Sequence, residues 1–209
     1  MKPSLNEIDV VVRKAAVGVG WSYGVGEDVG RAAAWLVAQG HDGVGTAIAA
    51  IQPGASVARC EPTADGWAFP QARVAAVGLS AFELLAIDPS RRVILRNVDH
   101  PLLLIGLAGV AAVDNGGAYM LTGCTTERIA ERINVSANHA TFAGAKLTGE
   151  TVSVERSTPS NHAPLETQAV AVIDDTVWRQ ALALAARTYV PASETSRAHG
   201  AGAGLTDND

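Results

Sequence analysis

The stretch PLLLIGLAGVAAV at positions 101–113 carries no charged side chain and no side chain able to hydrogen bond. A segment without a polar face has to be enclosed on every side, so the chain around it must supply a core large enough to bury it. Spanning a bilayer as a helix takes about 20 apolar residues, and this stretch is shorter and rich in Gly and Ala. It therefore reads as the interior of a globular protein, and no membrane segment is expected. Because a wholly apolar run has no periodicity, helix and strand both fit it. It is expected to divide into a strand over 102–105 followed by a helical turn or two.

On either side the periodicity is more informative. Ser4 followed by Glu7 forms a capping box, in which each residue's side chain satisfies the other's backbone amide. A helix is expected to start at Leu5, with apolar Leu5, Ile8, Val12, Ala15 and Ala16 recurring at helical spacing, and Gly18 can end it in a left-handed cap. A second helix is expected over 26–39, closed by Gly40, with Val29, Ala33, Leu36 and Val37 buried. Glycines 18, 20, 24, 26 and 30 look superficially like a dinucleotide loop. That motif needs a strand before it, and the capping box makes the preceding segment a helix, so turns and close helix packing are the better account.

From 41 to 71 the chain is punctuated by Pro53, Gly54, Pro62, Gly66 and Pro70, with a short helix expected over 46–51. A helix over 71–87 with Val74, Val77, Leu84 and Leu85 inside leads to an alternating strand over 92–98. Asp114-Asn115-Gly116-Gly117 reads as a turn and 118–122 as a strand. A short helix follows over 125–133, then a strand pair over 146–156 around Thr148-Gly149-Glu150, and a strand over 169–173. The last helix, 177–188, is capped by Asp174 or Asp175 and turns Trp178, Ala181, Leu182 and Ala185 inward. Helices that lead and close the chain, with strands between, predict a single α+β domain whose helices pack on a mainly antiparallel sheet. The first two helices and the last are expected on one side of that sheet, with Trp35 and Trp178 largely buried.

Charge and cysteine usage narrow the classes of function. Lys plus Arg number 16 against 21 Asp plus Glu, a net charge of -5, and no basic cluster occurs. Nucleic acid is therefore not an expected partner, since its binding depends on neutralising phosphates. Cys60 and Cys124 lack Cys-x-x-Cys spacing, which argues against a zinc ribbon or a disulfide framework. With no apolar signal-peptide stretch after Met1-Lys2-Pro3-Ser4, a cytoplasmic location is expected.

The segment after the last helix is not composed for packing. It contains Thr188-Tyr189-Val190-Pro191-Ala192-Ser193, then Ser196-Arg197, and then Gly200 through Asp209. With Ser4-Leu5-Asn6-Glu7-Ile8 and Arg31-Ala-Ala-Ala-Trp35-Leu36, these motifs make the whole chain resemble a bacterial family catalogued as a domain of unknown function (number 3726 in that series). The resemblance implies that the C-terminal segment is part of a family pattern, and it brings no activity with it. Residues 1–190 are expected to form the globular domain, and 191–209 a glycine-rich polar segment folded back on it. There Arg197 can grip a carboxylate or phosphate, and Gly200, Gly202 and Gly204 let backbone amides approach a ligand. His199, Asp207 and Asp209 complete the set, Asp207 as a proton-transfer group. A solvated chain end fits the same composition.

Cys124 lies between an expected strand and an expected helix, where unpaired amides would favour a thiolate, with His139 as its base. A small buried apolar cysteine is the competing reading. His139, His162, His199, Glu166, Asp207 and Asp209 are metal-ligand types without ligand spacing, so no metal site is expected. Asp99-His100-Pro101 ends a strand, a place where functional groups are displayed, but its composition favours a turn. Taken together, these features point to a soluble enzyme acting on a small polar or anionic metabolite by hydrolase or lyase chemistry. The alternative is a non-catalytic accessory protein docking on a partner through its C-terminal segment. The sequence names no cofactor and no oligomeric state.

Overall fold

The computed structural model describes residues 2–53, 59–124, 129–140, 151–159 and 172–189. Helix α1 (Leu5–Gly18) begins at the capping box: the Glu7 amide donates to Ser4 Oγ at 3.2 Å and the Ser4 amide to Glu7 Oε2 at 2.7 Å. Ile8, Val12, Ala15 and Ala16 are its buried stripe. Gly18 does not end the helix as a left-handed cap. It stays helical, where an added Cβ would meet the Leu184 carbonyl oxygen at 2.1 Å, and Gly20 at φ 100° makes the turn instead.

Helix α2 (Tyr23–Ala38) starts three residues before the expected position 26, because Ser22 caps it by accepting from the Val25 amide. Val29, Ala33, Leu36 and Val37 are buried as expected. Gly26 and Gly30 let α2 lie directly on α1, since a Cβ there would fall 2.9 Å from the Arg13 carbonyl oxygen and 2.7 Å from that of Asp9. These glycines are packing sites between two helices, and no strand precedes them. Helix α3 (Gly43–Ala50) follows, capped by Asp42.

Strands β1 (Glu61–Thr63) and β2 (Gly66–Phe69) occupy the stretch expected to be loop. After them come α4 (Val74–Ile87), β3 (Arg92–Arg96), α5 (Pro101–Asn115), β4 (Ala118–Cys124), β5 (Ile129–Ser136), β6 (His139–Ala140), β7 (Thr151–Ser157) and α6 (Asp175–Ala185), with a 3-10 turn at Ala186–Thr188. Among the described residues the sheet runs β1-β2-β3-β7-β4-β5-β6. Its ladders are antiparallel except between β2 and β3, which run parallel. The fold is α+β with a mainly antiparallel sheet, as the order of elements predicts.

Several local expectations are corrected. The apolar run is one helix, α5, with Pro101 in its first turn and no strand at 102–105. Leu and Ala dominate it, both good helix formers, and the run is long for a buried strand. Of the helix expected over 125–133, residues 129–133 are strand instead, since β5 begins at Ile129 and alternates buried Ile133 and Val135 with exposed Arg132, while 125–128 lie outside the described residues. Leu182 faces out at 41% exposure and Leu184 turns inward at 8%, a shift of the apolar stripe around α6. Leu84, expected inside, is half-buried, and so is Trp35, whose Nε1 donates to the Ala137 carbonyl at 2.8 Å. Trp178 is buried. Val172 and Ile173 are not in a strand. The turn expected at 148–150 and residues 169–171 lie outside the described residues.

The layering also differs from expectation. One face of the sheet buries Val93, Leu95, Tyr119, Leu121, Ile133, Val135, Val152 and Val154. Helices α4 and α5 lie against it, while α2 packs on α5, α1 on α2, and α6 on α1. The first two helices and the last thus stand one layer behind the helices that touch the sheet. The reason is compositional: α1, α2 and α6 carry a polar face that needs solvent, whereas α4 and α5 are apolar nearly all round and belong in the middle. No helix among the described residues is long and apolar enough to cross a membrane.

Candidate functional site: a cavity at the ends of β2 and β3

The parallel pair β2 and β3 is joined through α4, because parallel neighbours require a crossover. With Phe69 opposite Leu95, both strands finish side by side and hand over to helices, β2 to α4 and β3 to α5. Two strand-to-helix loops, 70–73 and 97–100, therefore meet at one edge of the sheet. In sheets built this way the space outside the carboxyl ends of parallel strands collects helix N-termini and loop side chains, which suits it to binding small molecules.

The two loops are tied to one another. The Ala72 amide donates to the Arg96 carbonyl at 2.8 Å and Asn97 Nδ2 to the Pro70 carbonyl at 3.0 Å. Asn97 holds a left-handed backbone, φ 52°, which Asn tolerates better than most residues. Asp99 reaches across and accepts the Val74 amide on Oδ1 at 2.9 Å, so it caps α4 in place of Arg73, which makes no capping bond. Helix α5 has no side-chain cap among the described residues.

The end of α3 closes the third side. Arg73 Nη2 donates to the Gln52 carbonyl, and its guanidinium lies over the Trp21 ring at 4.9 Å. Trp21 Nε1 in turn donates to the Ile51 carbonyl at 2.8 Å. The result is a cavity of about 330 Å³ with Ala49, Ala50, Pro53 and Ala72 among its walls and Gln52, Gln71, Arg73, Asn97, Asp99 and His100 as its polar groups. The half-buried His100 imidazole has no hydrogen-bond partner among the described residues.

Residues 3–52 match the family model described as a protein of unknown function (DUF3726). The matched stretch contains the motifs at Ser4–Ile8 and Arg31–Leu36 that carry the resemblance in the sequence, and those in the C-terminal segment fall outside it. In the fold the DUF3726 stretch is α1, α2 and α3, and its last residue, Gln52, is the one that receives Arg73 at the cavity. No curated protein matches the chain. Among solved structures it is similar to malate dehydrogenase from Entamoeba histolytica, with 14% identity and a TM-score of 0.43 over 65% of this chain. It spans 43% of that enzyme's chain, and a likeness this loose carries no argument about activity.

Of the site residues expected from sequence, Cys124 and His139 have described backbone positions, and neither lines this cavity. Cys124 closes β4 and pairs with Thr151 of β7; residues 125–128 after it lie outside the described residues, and the chain is next described in strand β5. His139 pairs with Ser136, which pairs with Ala118 at the opposite end of β4. The backbone positions of Cys124 and His139 are thus separated by most of a strand, about 20 Å at ~3.3 Å per residue, and the register does not bring them together. Arg197, His199, Gly200, Gly202, Gly204, Asp207 and Asp209 lie outside the described residues. Among the described residues no group of His, Cys, Asp and Glu side chains is arranged to hold a metal ion.

A perturbed carboxyl occurs away from the cavity. Asp28 on α2 is pushed up to about 6, first by burial and then by Glu83 on α4, with Arg31 opposing the shift and Glu27 and Asp114 adding to it. Arg31 is committed to Asp114 at 2.5 Å. A folded value above the ordinary carboxylate value of ~3.9 means the native state binds the proton more tightly. Stability tied to Asp28 is thus full below about pH 4 and is lost as pH rises to about 6. Asp28→Asn is expected to flatten that slope and to raise stability at neutral pH by about 1 kcal/mol, a figure reduced because the carboxyl is partly solvated. Urea midpoints across that range check it, and an unchanged slope would refute it.

Proposed function

We propose that this chain is an enzyme acting on a small polar or anionic metabolite in the cavity at the carboxyl ends of β2 and β3, by proton-transfer chemistry of the hydrolase or lyase kind. The observation that carries the reading is the His100 imidazole, without a protein partner among the described residues, in a cavity built from two strand-to-helix junctions. Histidine is the side chain best suited to exchange a proton near neutral pH, and a positioned acid or base contributes about 10²–10⁴-fold to rate. Asp99 supports the geometry from the adjacent position: its bond to the Val74 amide pins the loop that carries His100. The cavity size is at the small end of ligand sites, about 300–1,000 Å³, which fits a metabolite better than a cofactor.

A thermal-shift screen against small polar metabolites, run on the native chain and on His100→Gln, tests this. A ligand at about 100 times its dissociation constant adds about 2.7 kcal/mol to apparent stability, well within reach of the method. The expected outcome is a compound that stabilises both proteins and is converted only by the native one. Equal conversion by both would remove His100 from the chemistry, and a library without a stabilising compound would count against the cavity as a ligand site.

A further inference from the structure

We infer that the ligand of this cavity carries an oxyanion, a carboxylate or phosphate group, and that Arg73 is the residue that receives it. The inference rests on the cavity being the ligand site. Arg13, Arg31, Arg91 and Arg92 each form an ion pair with an aspartate. Arg73 has no such partner among the described residues; what it donates to is a neutral carbonyl, that of Gln52. A guanidinium has five N–H donors, so this one keeps most of its hydrogen-bonding capacity. It lies over the Trp21 ring, and Trp21 is itself fixed to the Ile51 carbonyl. A cation held this way loses little freedom on gripping a ligand, and the fork of a guanidinium matches two oxygens of a carboxylate or phosphate.

The charge around the cavity points the same way. Arg73 contributes one positive charge and Asp99 one negative charge, which cancel to first order. The N-termini of α4 and α5 each add about half a positive charge and the C-terminal end of α3 about half a negative one, leaving roughly half a unit of positive field. The Asp99 carboxylate already serves α4, whereas α5 has no capping side chain among the described residues. An anion beside Arg73 would meet the unmatched half of this field, while a metal cation would oppose it.

The test is a nitrogen-15 NMR titration of the full chain with inorganic phosphate and, separately, with malonate, at constant ionic strength and with chloride as the reference anion. Saturable shifts of the Arg73 Nε–H and of the amides of Leu102 and Leu103 are expected with at least one of the two probes, in the unmodified protein. Arg73→Gln should weaken binding by about tenfold, with Arg73→Lys between the two, since a charged hydrogen bond is lost in the first and a point charge is kept in the second. Shifts confined to residues away from the cavity, or equal affinity in Arg73→Gln, would overturn the inference. If neutral metabolites alone bind the cavity in the thermal-shift screen, the site stands and the oxyanion assignment falls, so the two readings fail separately.

Discussion

Truncating Phe82 to alanine is expected to cost about 3–5 kcal/mol, towards the upper end, as read from urea unfolding. Phe82 lies on α4, fully buried, and meets the Tyr119 ring of β4 edge-on, with centroids 4.8 Å apart and planes at 69°. An edge-to-face pair adds about 0.5–1.5 kcal/mol beyond the area it buries. Tyr119 cannot move to fill the gap: it is fully buried, its hydroxyl accepts from Arg156 Nη1 at 3.1 Å, and that guanidinium lies over its ring. The cavity left behind would therefore persist, and persistence is what makes such truncations expensive. A loss below about 1 kcal/mol would mean that α4 is not locked to the sheet through this pair.

Trp178→Ala is expected to be costly as well, about 3 kcal/mol, at the lower end of the range for a buried aromatic. The indole is 5% exposed, packed in the seam between α6 and α1. Unlike the Phe82 site, this seam opens into a groove lined by Pro3, Val10, Val11 and Leu182. Side chains along an open groove can relax inward, and water can enter what remains, so less of the lost packing is retained as a void. The contrast between the two variants is itself a result to look for: the smaller aromatic should cost more because its surroundings are stiffer. An unchanged midpoint for Trp178→Ala would show that α6 contributes little to global unfolding.

What could be read from the sequence was whatever depends on neighbours along the chain. The Ser4/Glu7 box, the stripes of α1 and α2 and the Asp174 cap of α6 are local signals, and each appears where the pattern puts it. The α5 run was opaque because a helix surrounded by protein has no polar residues to mark its period. β5 was misread because the polar residues after Cys124 resemble a helix start, while the inward positions Ile133 and Val135 hold their meaning through pairing with Leu121 and Tyr119. The cavity was half visible. Asp99-His100-Pro101 stood out at a strand end, but Arg73 and Asn97 gave no signal while β2 went unrecognised. Trp67-Ala68-Phe69 between Gly66 and Pro70 was the missing cue, for a second short strand there would have made β2-α4-β3 a crossover unit with a binding edge.

The position of β7 bears on how the molecule is made. β7 is the last strand in chain order among the described residues, yet it lies in the middle of the sheet, with β3 on one side and β4 on the other. Its ladders join Leu95 to Val152 and Leu121 to Val154, and β3 and β4 have no ladder of their own. During synthesis the ribosome therefore releases two separate half-sheets, each with an unpaired inner edge, well before the strand that seals them. Such edges are templates for pairing with other chains, and the wait for a distant partner lengthens their exposure. Nascent chains stalled before residue 151 should be the aggregation-prone species and the ones that chaperones hold, with protection arriving abruptly once the seventh strand has cleared the exit tunnel.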